Sequence, residues 1–319
     1  MTSFVLKRLL SLIPVVVVVS IVIFSITYLT PGDPARTILG PDASPEQVQA
    51  LRESLGLNAP LVTQYFSWLG GVLTGDLGDS FFLRKSVLSA IGDNLTPTLQ
   101  LATIAITVAL ILAIPLGTLA ARYRGTGLDR GVMAFTLLGM AVPSFVLGLL
   151  LMLLFAVKLR WVPVAGYVNP MLDFSAGMKT LILPGVALGA IVAALITRTT
   201  RAAVLDVLSS DYIDAARSRG VSNVRLLFTH TLKNAGLPIL TIVGLTVGTL
   251  VTGAAVTETI FNIPGIGSLL VQAISRRDYA VIQGVVLMIT FFYLFINLFI
   301  DLLYGLVDPR VRLGGKKGA

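Results

Sequence analysis

No cysteine occurs in the 319 residues, which excludes disulfides, thiol chemistry and thiolate metal sites. Histidine is nearly as scarce. His230 is the single copy, and no cluster of histidine, cysteine and carboxylate is there to hold a metal. No serine has a base at a credible position for nucleophilic catalysis, and a lone imidazole without partners is a poor general base. No P-loop occurs, so the chain does not hydrolyse ATP itself. Charge is short as well: Asp, Glu, Lys and Arg are 13% of residues, against roughly 25% in soluble domains. What stands in their place is apolar, with 55% hydrophobic residues and a mean hydropathy of +0.89. The expected fold class is all-α, a polytopic membrane protein with one transmembrane domain.

Six apolar runs approach or exceed the roughly 20 residues that cross a bilayer core. They are Leu9 to Leu29, Thr96 to Ala121 with a kink expected at Pro115, Gly131 to Val157 broken at Pro143, Thr180 to Thr197, Leu237 to Thr257, and Ala280 to Val307. The first resembles a signal peptide but is long for one and lacks a small-x-small cleavage site, so it reads as a retained span. Gly185 with Gly189, and Gly244 with Gly248, are spaced for close helix contact.

Six spans put both termini on one side. That side carries fifteen Lys and Arg against nine on the other, and five Asp and Glu against ten. The positive-inside rule therefore places both termini and the loop 198–236 in the cytoplasm. The formal net charge of +8 follows from topology, and no basic and aromatic surface suggests nucleic acid. The expected division is 1–94 as first span plus extracytoplasmic helical region, 95–307 as transmembrane core with the loop 198–236, and 308–319 as cytoplasmic tail.

A secondary transporter or channel carries ionisable coupling groups inside its spans. Here only Asp301 lies within one, which disfavours that class. Asp301 has two readings: a site at the inner mouth of a solute path, or an interfacial carboxylate bonded to a neighbouring chain or water. Gln283, with the Thr, Ser and Gly of the spans, is the other candidate for a path suited to a polar zwitterion. Free nickel would call for imidazoles or carboxylates.

Between the first two spans, Ser44-Pro45-Glu46-Gln47 is a helix start with Val48, Leu51 and Leu55 on one face and Gly56 as its stop. A second helix from Pro60 carries Leu61, Tyr65, Trp68, Leu69 and Leu73. Its aromatic stripe suits either the membrane interface or the protein's own spans. Gly75-Asp76-Leu77-Gly78-Asp79-Ser80 is a glycine-rich turn without the lysine of a phosphate loop.

The long polar stretch Asp211 to Pro238 organises the chain. Asp211 is expected to cap a helix with Asp214 in its first turn, Arg217 and Arg219 in its last, and Gly220 as stop, all suiting the helix dipole. Ala215 and Ala216 keep its middle slim. Ser222 is expected to cap a second helix, with Val224, Leu227, Phe228, Thr231 and Ala235 on one face. A solvated loop is the other reading.

Asp214-Ala215-Ala216, Gly220 and Leu237-Pro238 resemble the "EAA" loop of ATP-binding-cassette importer permeases. Asp replaces the usual Glu, and Leu-Pro falls later after the glycine than in the short consensus. The longer spacing, with Tyr212, His230 and Asn234 between, resembles the peptide and nickel branch. Gly32-Asp33-Pro34, Leu55-Gly56-Leu57, Gly75-Asp76-Leu77-Gly78, Pro264-Gly265-Ile266-Gly267, Arg277-Asp278-Tyr279 and Asp308-Pro309-Arg310 resemble, in order, the first permease subunit of dipeptide, oligopeptide and nickel importers.

The resemblance implies the type I importer permease fold. It implies an ATPase-coupling surface of Asp211, Tyr212, Asp214, Ala215, Ala216, Arg217, Gly220, His230, Leu237 and Pro238. It also implies a second homologous permease, two cytoplasmic ATPases that carry ATP and Mg, and an extracytoplasmic substrate-binding protein, in the cytoplasmic membrane of a prokaryote. No cofactor is expected on this chain. Di- and oligopeptides are the expected solutes, with a nickel chelate or glutathione as alternatives.

Overall fold

The computed structural model describes residues 2–29, 33–40 and 42–307. In chain order the helices are α1 (Thr2–Leu29), α2 (Pro34–Leu39), α3 (Pro45–Ser54), α4 (Leu61–Thr74), α5 (Val87–Arg122), α6 (Gly127–Ala141), α7 (Ser144–Leu151), α8 (Phe174–Leu208), α9 (Asp211–Ser218), α10 (Asn223–Arg225), α11 (Leu232–Gly253), α12 (Ala255–Phe261), α13 (Ile266–Arg276) and α14 (Tyr279–Val307). π-Helical stretches follow α7 (Met152–Lys158) and α10 (Leu226–Thr231). Strands β1 (Asp79–Ser80) and β2 (Lys85–Ser86) pair antiparallel.

Five helices among the described residues are long and apolar enough to cross a membrane, and a sixth span results if α6 and the α7 stretch count as one. Those two are bent by 99°. The cause is local. Val142 precedes Pro143, so the proline ring disfavours a helical backbone there, and both residues are extended (ψ 121° and 143°). Several helices outrun the apolar run that marks them. α5 starts at Val87 rather than Thr96, and α8 continues to Leu208 rather than stopping at Thr197.

The chain forms two compact units. The first comprises Met1–Thr96 and Gly265–Phe295. Its core joins Val87, Ala90 and Ile91 of α5 to Ile266, Leu269 and Ala273 of α13 and to Val281, Ile282 and Val285 of α14. Asp278 fixes the entry to α14: its carboxylate accepts from Ser80 Oγ at 2.5 Å and from Val281 N at 3.4 Å. The Ser44 capping box forms as expected, with Gln47 N to Ser44 Oγ at 3.3 Å and Ser44 N to Gln47 Oε1 at 3.0 Å.

The second unit comprises Pro97–Pro264 and Ile296–Ala319, and α8 is its axis. Sixty-seven per cent of α8's apolar window is buried within the protein, against 11% for α1. Small residues let neighbours approach it. A Cβ on Gly189 would lie 2.6 Å from the carbonyl oxygen of Ala105, and one on Gly185 would lie 2.5 Å from Ile104 Cγ2. Gly244 likewise faces Ile300 with no room for a methyl group. Gly185 and Gly189 of α8 and Gly244 of α11 thus mark real helix contacts.

Gly189→Val is expected to force α5 away from α8, because its obstacle is backbone rather than a movable side chain. Overpacking of this kind costs about 1–3 kcal/mol or more, seen as a lower thermal-aggregation midpoint of detergent-solubilised protein. An unchanged midpoint would show that α5 and α8 separate more readily than their contact implies.

Candidate functional site

Within the second unit, α8 extends eleven residues past Thr197, about 16 Å at 1.5 Å per residue. Residues 223–253 return as one continuous helical run. The two runs pack together through Val204 of α8, Leu227, Ala235 and Ile239, with Ala121 from the end of α5. α9 sits at the tip of this two-helix stalk.

Ser210, not Asp211, is the N-cap of α9 (φ −88°, ψ 144°). Its hydroxyl donates to Val207 O at 2.5 Å and so does not cap the helix. Asp211 is therefore the first helical residue and Asp214 the fourth. Both still lie in the first turn, where negative charge favours the helix dipole. The C-terminus closes as expected. Gly220 takes φ +79°, its N–H donates to Arg217 O at 3.0 Å, and Val221 N–H donates to Ala216 O at 3.3 Å. That is a Schellman cap, which needs a left-handed residue at the position Gly220 fills.

One residue anchors α9, and reading the sequence did not find it. Ile213 is fully buried, on a helix packed against the π-helical turn Leu226–Thr231. The signal was available: Ile213 is the only aliphatic larger than alanine in DYIDAARS. Asp211, Tyr212, Asp214, Ala215, Arg217 and Gly220 are exposed, and Ala216 is half-buried. Arg217 pairs with Asp214 at 3.2 Å, an exposed i,i+3 pair of small energetic weight. Asn234 Nδ2 bridges the two halves of the loop, donating to Tyr212 Oη at 3.0 Å and to His230 O at 2.6 Å. His230 and Leu237 are half-buried and Pro238 is exposed, so Leu237 and Pro238 lie in α11 rather than on α9's surface.

The second helix differs from expectation. It is not a separate element: α10, the π turn and α11 run on without a break. Val224 and Phe228 are exposed, while Leu226, Leu227, Thr231 and Ala235 are buried. The π turn is the reason. It spends one extra residue in a turn, so residues five apart share a face, and Thr231 Oγ1 bonds back to Leu226 O at 3.0 Å across that spacing. An ordinary helical period therefore placed Leu227, Thr231 and Ala235 correctly but put Val224 and Phe228 on the buried face in error.

A buried ion pair fixes the stalk. Arg201 of α8 donates to both carboxylate oxygens of Asp129, Nε to Oδ1 at 2.6 Å and Nη2 to Oδ2 at 2.8 Å. Gly125 N–H adds a third donor to Asp129 at 2.9 Å. Asp129 is buried in the first turn of α6. The basic loop after α5 is thereby tied to the helix that carries α9. Gly117 closes the same junction, since a Cβ there would meet Thr197 O and Thr200 Cβ at 2.7 Å.

Of the two residues suggested for a solute path, Gln283 lies in the first unit, where its Nε2 donates to Thr27 Oγ1 at 2.8 Å. It lines a cavity of about 630 Å³ with Tyr28, Gln64, Trp68 and Arg277. Asp301 falls in α14, but its side chain lies outside the described residues. Asp308-Pro309-Arg310 also lies outside them.

Residues 113–313 match the family profile described as binding-protein-dependent transport system inner membrane component, and residues 1–102 match the N-terminal profile of the same system. The chain belongs to this family. The resemblance carried by the α9 loop is borne out. The chain is 43% identical over 98% of its length to a probable peptide ABC transporter permease protein, y4tP, of Sinorhizobium fredii, covering all of that protein. It is 40% identical to the dipeptide transport system permease protein DppB of Alkalihalophilus pseudofirmus, covering 98% of this chain and 100% of that one. It is 39% identical to the glutathione transport system permease protein GsiC of Escherichia coli, covering 98% and 99%. A chain of the MetNI methionine ABC transporter in inward-facing conformations superposes with a TM-score of 0.58, covering 69% of this chain and 97% of that one at 18% identity. That likeness shows the importer permease fold. The family member described here is thus a multi-pass, all-α membrane permease.

Proposed function

We propose that this permease moves di- or oligopeptides through a path formed with a second homologous permease. Its α9 docks on a cytoplasmic ATPase, one of two that bind ATP and Mg, and an extracytoplasmic binding protein delivers the solute. In this reading the chain sits in the cytoplasmic membrane of a prokaryote, with both termini and α9 on the cytoplasmic side, and holds no cofactor. One observation carries it: α9 is closed at its C-terminus, seated through Ile213 and the Tyr212–Asn234 hydrogen bond, and left with its other side exposed, Ala215 and Gly220 included, at the tip of a braced stalk. A loop with no partner needs neither the brace nor the bare face. The names of the peptide and dipeptide relatives support the solute class.

Glutathione is the second reading, supported by the GsiC relatives. Affinity purification of the tagged permease from its native membrane is expected to bring down two ATPases and a second permease. In proteoliposomes with the binding protein, ATP-dependent uptake of a labelled dipeptide is expected to exceed that of glutathione. Preferential glutathione uptake would reverse the solute assignment. Purification without any ATPase would reject the coupling role of α9.

A further inference from the structure

We infer that α4 is embedded in the membrane, in the leaflet where α1 ends, and that Val62, Phe66 and Leu73 face lipid. The inference concerns the first unit, and its test does not depend on transport.

Two contacts set the depth of α4. Tyr65 Oη lies 2.8 Å from Ser20 Oγ of α1, and Phe24 of α1 stacks against Tyr65 and Trp68, with ring centroids 5.5 and 5.9 Å apart. Tyr28 of α1 also bonds to Gln64. The apolar window of α1 runs from Leu10 to Tyr28. Ser20 is eight residues inside its end, about 12 Å at 1.5 Å per residue, well within a hydrocarbon core of roughly 30 Å. A helix that meets α1 at Ser20 and Phe24 from the side lies below the headgroups.

The chemistry of α4 agrees. No charged residue occurs from Ser54 to Gly75. The face turned from α1 is bare and apolar: Val62 is 68% exposed, Phe66 63% and Leu73 79%. α1 is bare and apolar as well, at Val18, Ile21 and Val22. In water such a patch would be a liability, whereas against acyl chains it costs nothing.

Lipid further demands that polar backbone groups be satisfied inside the protein, and the loop before α4 and the C-terminal end of α4 both show such bonds. Gln64 Nε2 donates to the carbonyls of Leu57 and Ala59 at 3.1 and 2.7 Å. Thr74 Oγ1 donates to Gly70 and Gly71 at 3.2 and 2.9 Å, and Asp76 N–H donates to Gly71 O at 2.8 Å.

The absence of cysteine makes the test direct. Nitroxide labels are attached to Val62→Cys, Phe66→Cys and Leu73→Cys, with Glu46→Cys on α3 as the aqueous control. The full-length chain is reconstituted in lipid nanodiscs together with the subunits that co-purify with it. Power-saturation electron paramagnetic resonance then compares collisions with oxygen, which concentrates in lipid, and with a water-soluble nickel chelate. The oxygen-to-nickel ratio is expected to be several-fold higher at 62, 66 and 73 than at 46. A ratio like that of the control at all three sites would place α4 in water and overturn the inference. Low collision with both reagents would show the face covered by another chain and overturn it equally.

Discussion

Ala215→Trp is expected to abolish uptake while leaving the permease folded and inserted. Ala215 is exposed on α9, so an indole there meets nothing in its own chain. Any effect therefore reports the surface that α9 enters. A close-packed groove has no room for about nine extra heavy atoms. A clash at the centre of an interface matches the scale of a hot spot, at least about 2 kcal/mol, or roughly a thirtyfold loss of affinity.

The measurement is co-purification of the ATPase together with uptake per inserted permease, and both should fall. Substitutions at neighbouring positions read differently. Ala216 is half-buried, so a bulky residue there also disturbs the seat of α9 on its stalk. Gly220→Leu finds open space around its Cβ but must adopt φ +79°; its cost is backbone strain of about 1–2 kcal/mol rather than a clash. Normal uptake by Ala215→Trp with the ATPase still attached would reject α9 as the docking element.

Arg201→Ala has the second largest expected effect, and it acts on the chain itself. Removing the guanidinium leaves Asp129 buried with only the Gly125 N–H as donor. Breaking a buried pair by deleting one partner costs about 3–5 kcal/mol. The lower end applies, since the Arg201 side chain is 24% exposed. The expected result is a thermal midpoint lower by on the order of 5 °C or more and less ATP-driven uptake, because the stalk that holds α9 loses its tie to α6. Arg201→Lys should recover only part, since an ammonium cannot repeat the two-pronged contact. A double variant, Asp129→Leu with Arg201→Leu, removes both charges and should restore much of the stability. Unchanged stability in Arg201→Ala would show that the pair contributes little.

Much of α9 was legible because its signals are local. An acidic first turn, a basic last turn and a glycine after it are each set by neighbours within a turn. The residue that secures the helix was harder to see, because Ile213 has meaning only once the π turn of Leu226–Thr231 lies beneath it. On the second run, Val224 and Phe228 were misassigned to the buried face for a related reason. Nothing in the sequence announces that one turn will spend an extra residue. Glu258 shows the same limit. As a charged residue it marks the end of the fifth apolar run, yet it is fully buried, and Thr98 Oγ1, from far along the chain, donates to its carboxylate at 2.6 Å.

The sequence by itself determined that this is a cysteine-free, all-α membrane protein with glycines at its helix contacts, a break at Pro143 and a short helix from Asp211 stopped by Gly220. Hydrophobicity, glycine spacing and capping act over a few residues, so they can be read from the chain in order. Only the tertiary structure decided that Arg201 grips Asp129, that α13 and the first half of α14 join the core of the N-terminal unit, and that α4 turns Tyr65 and Trp68 to α1 and Val62, Phe66 and Leu73 outward. Those outcomes depend on which buried surface each residue meets, and its partner lies tens to hundreds of residues away.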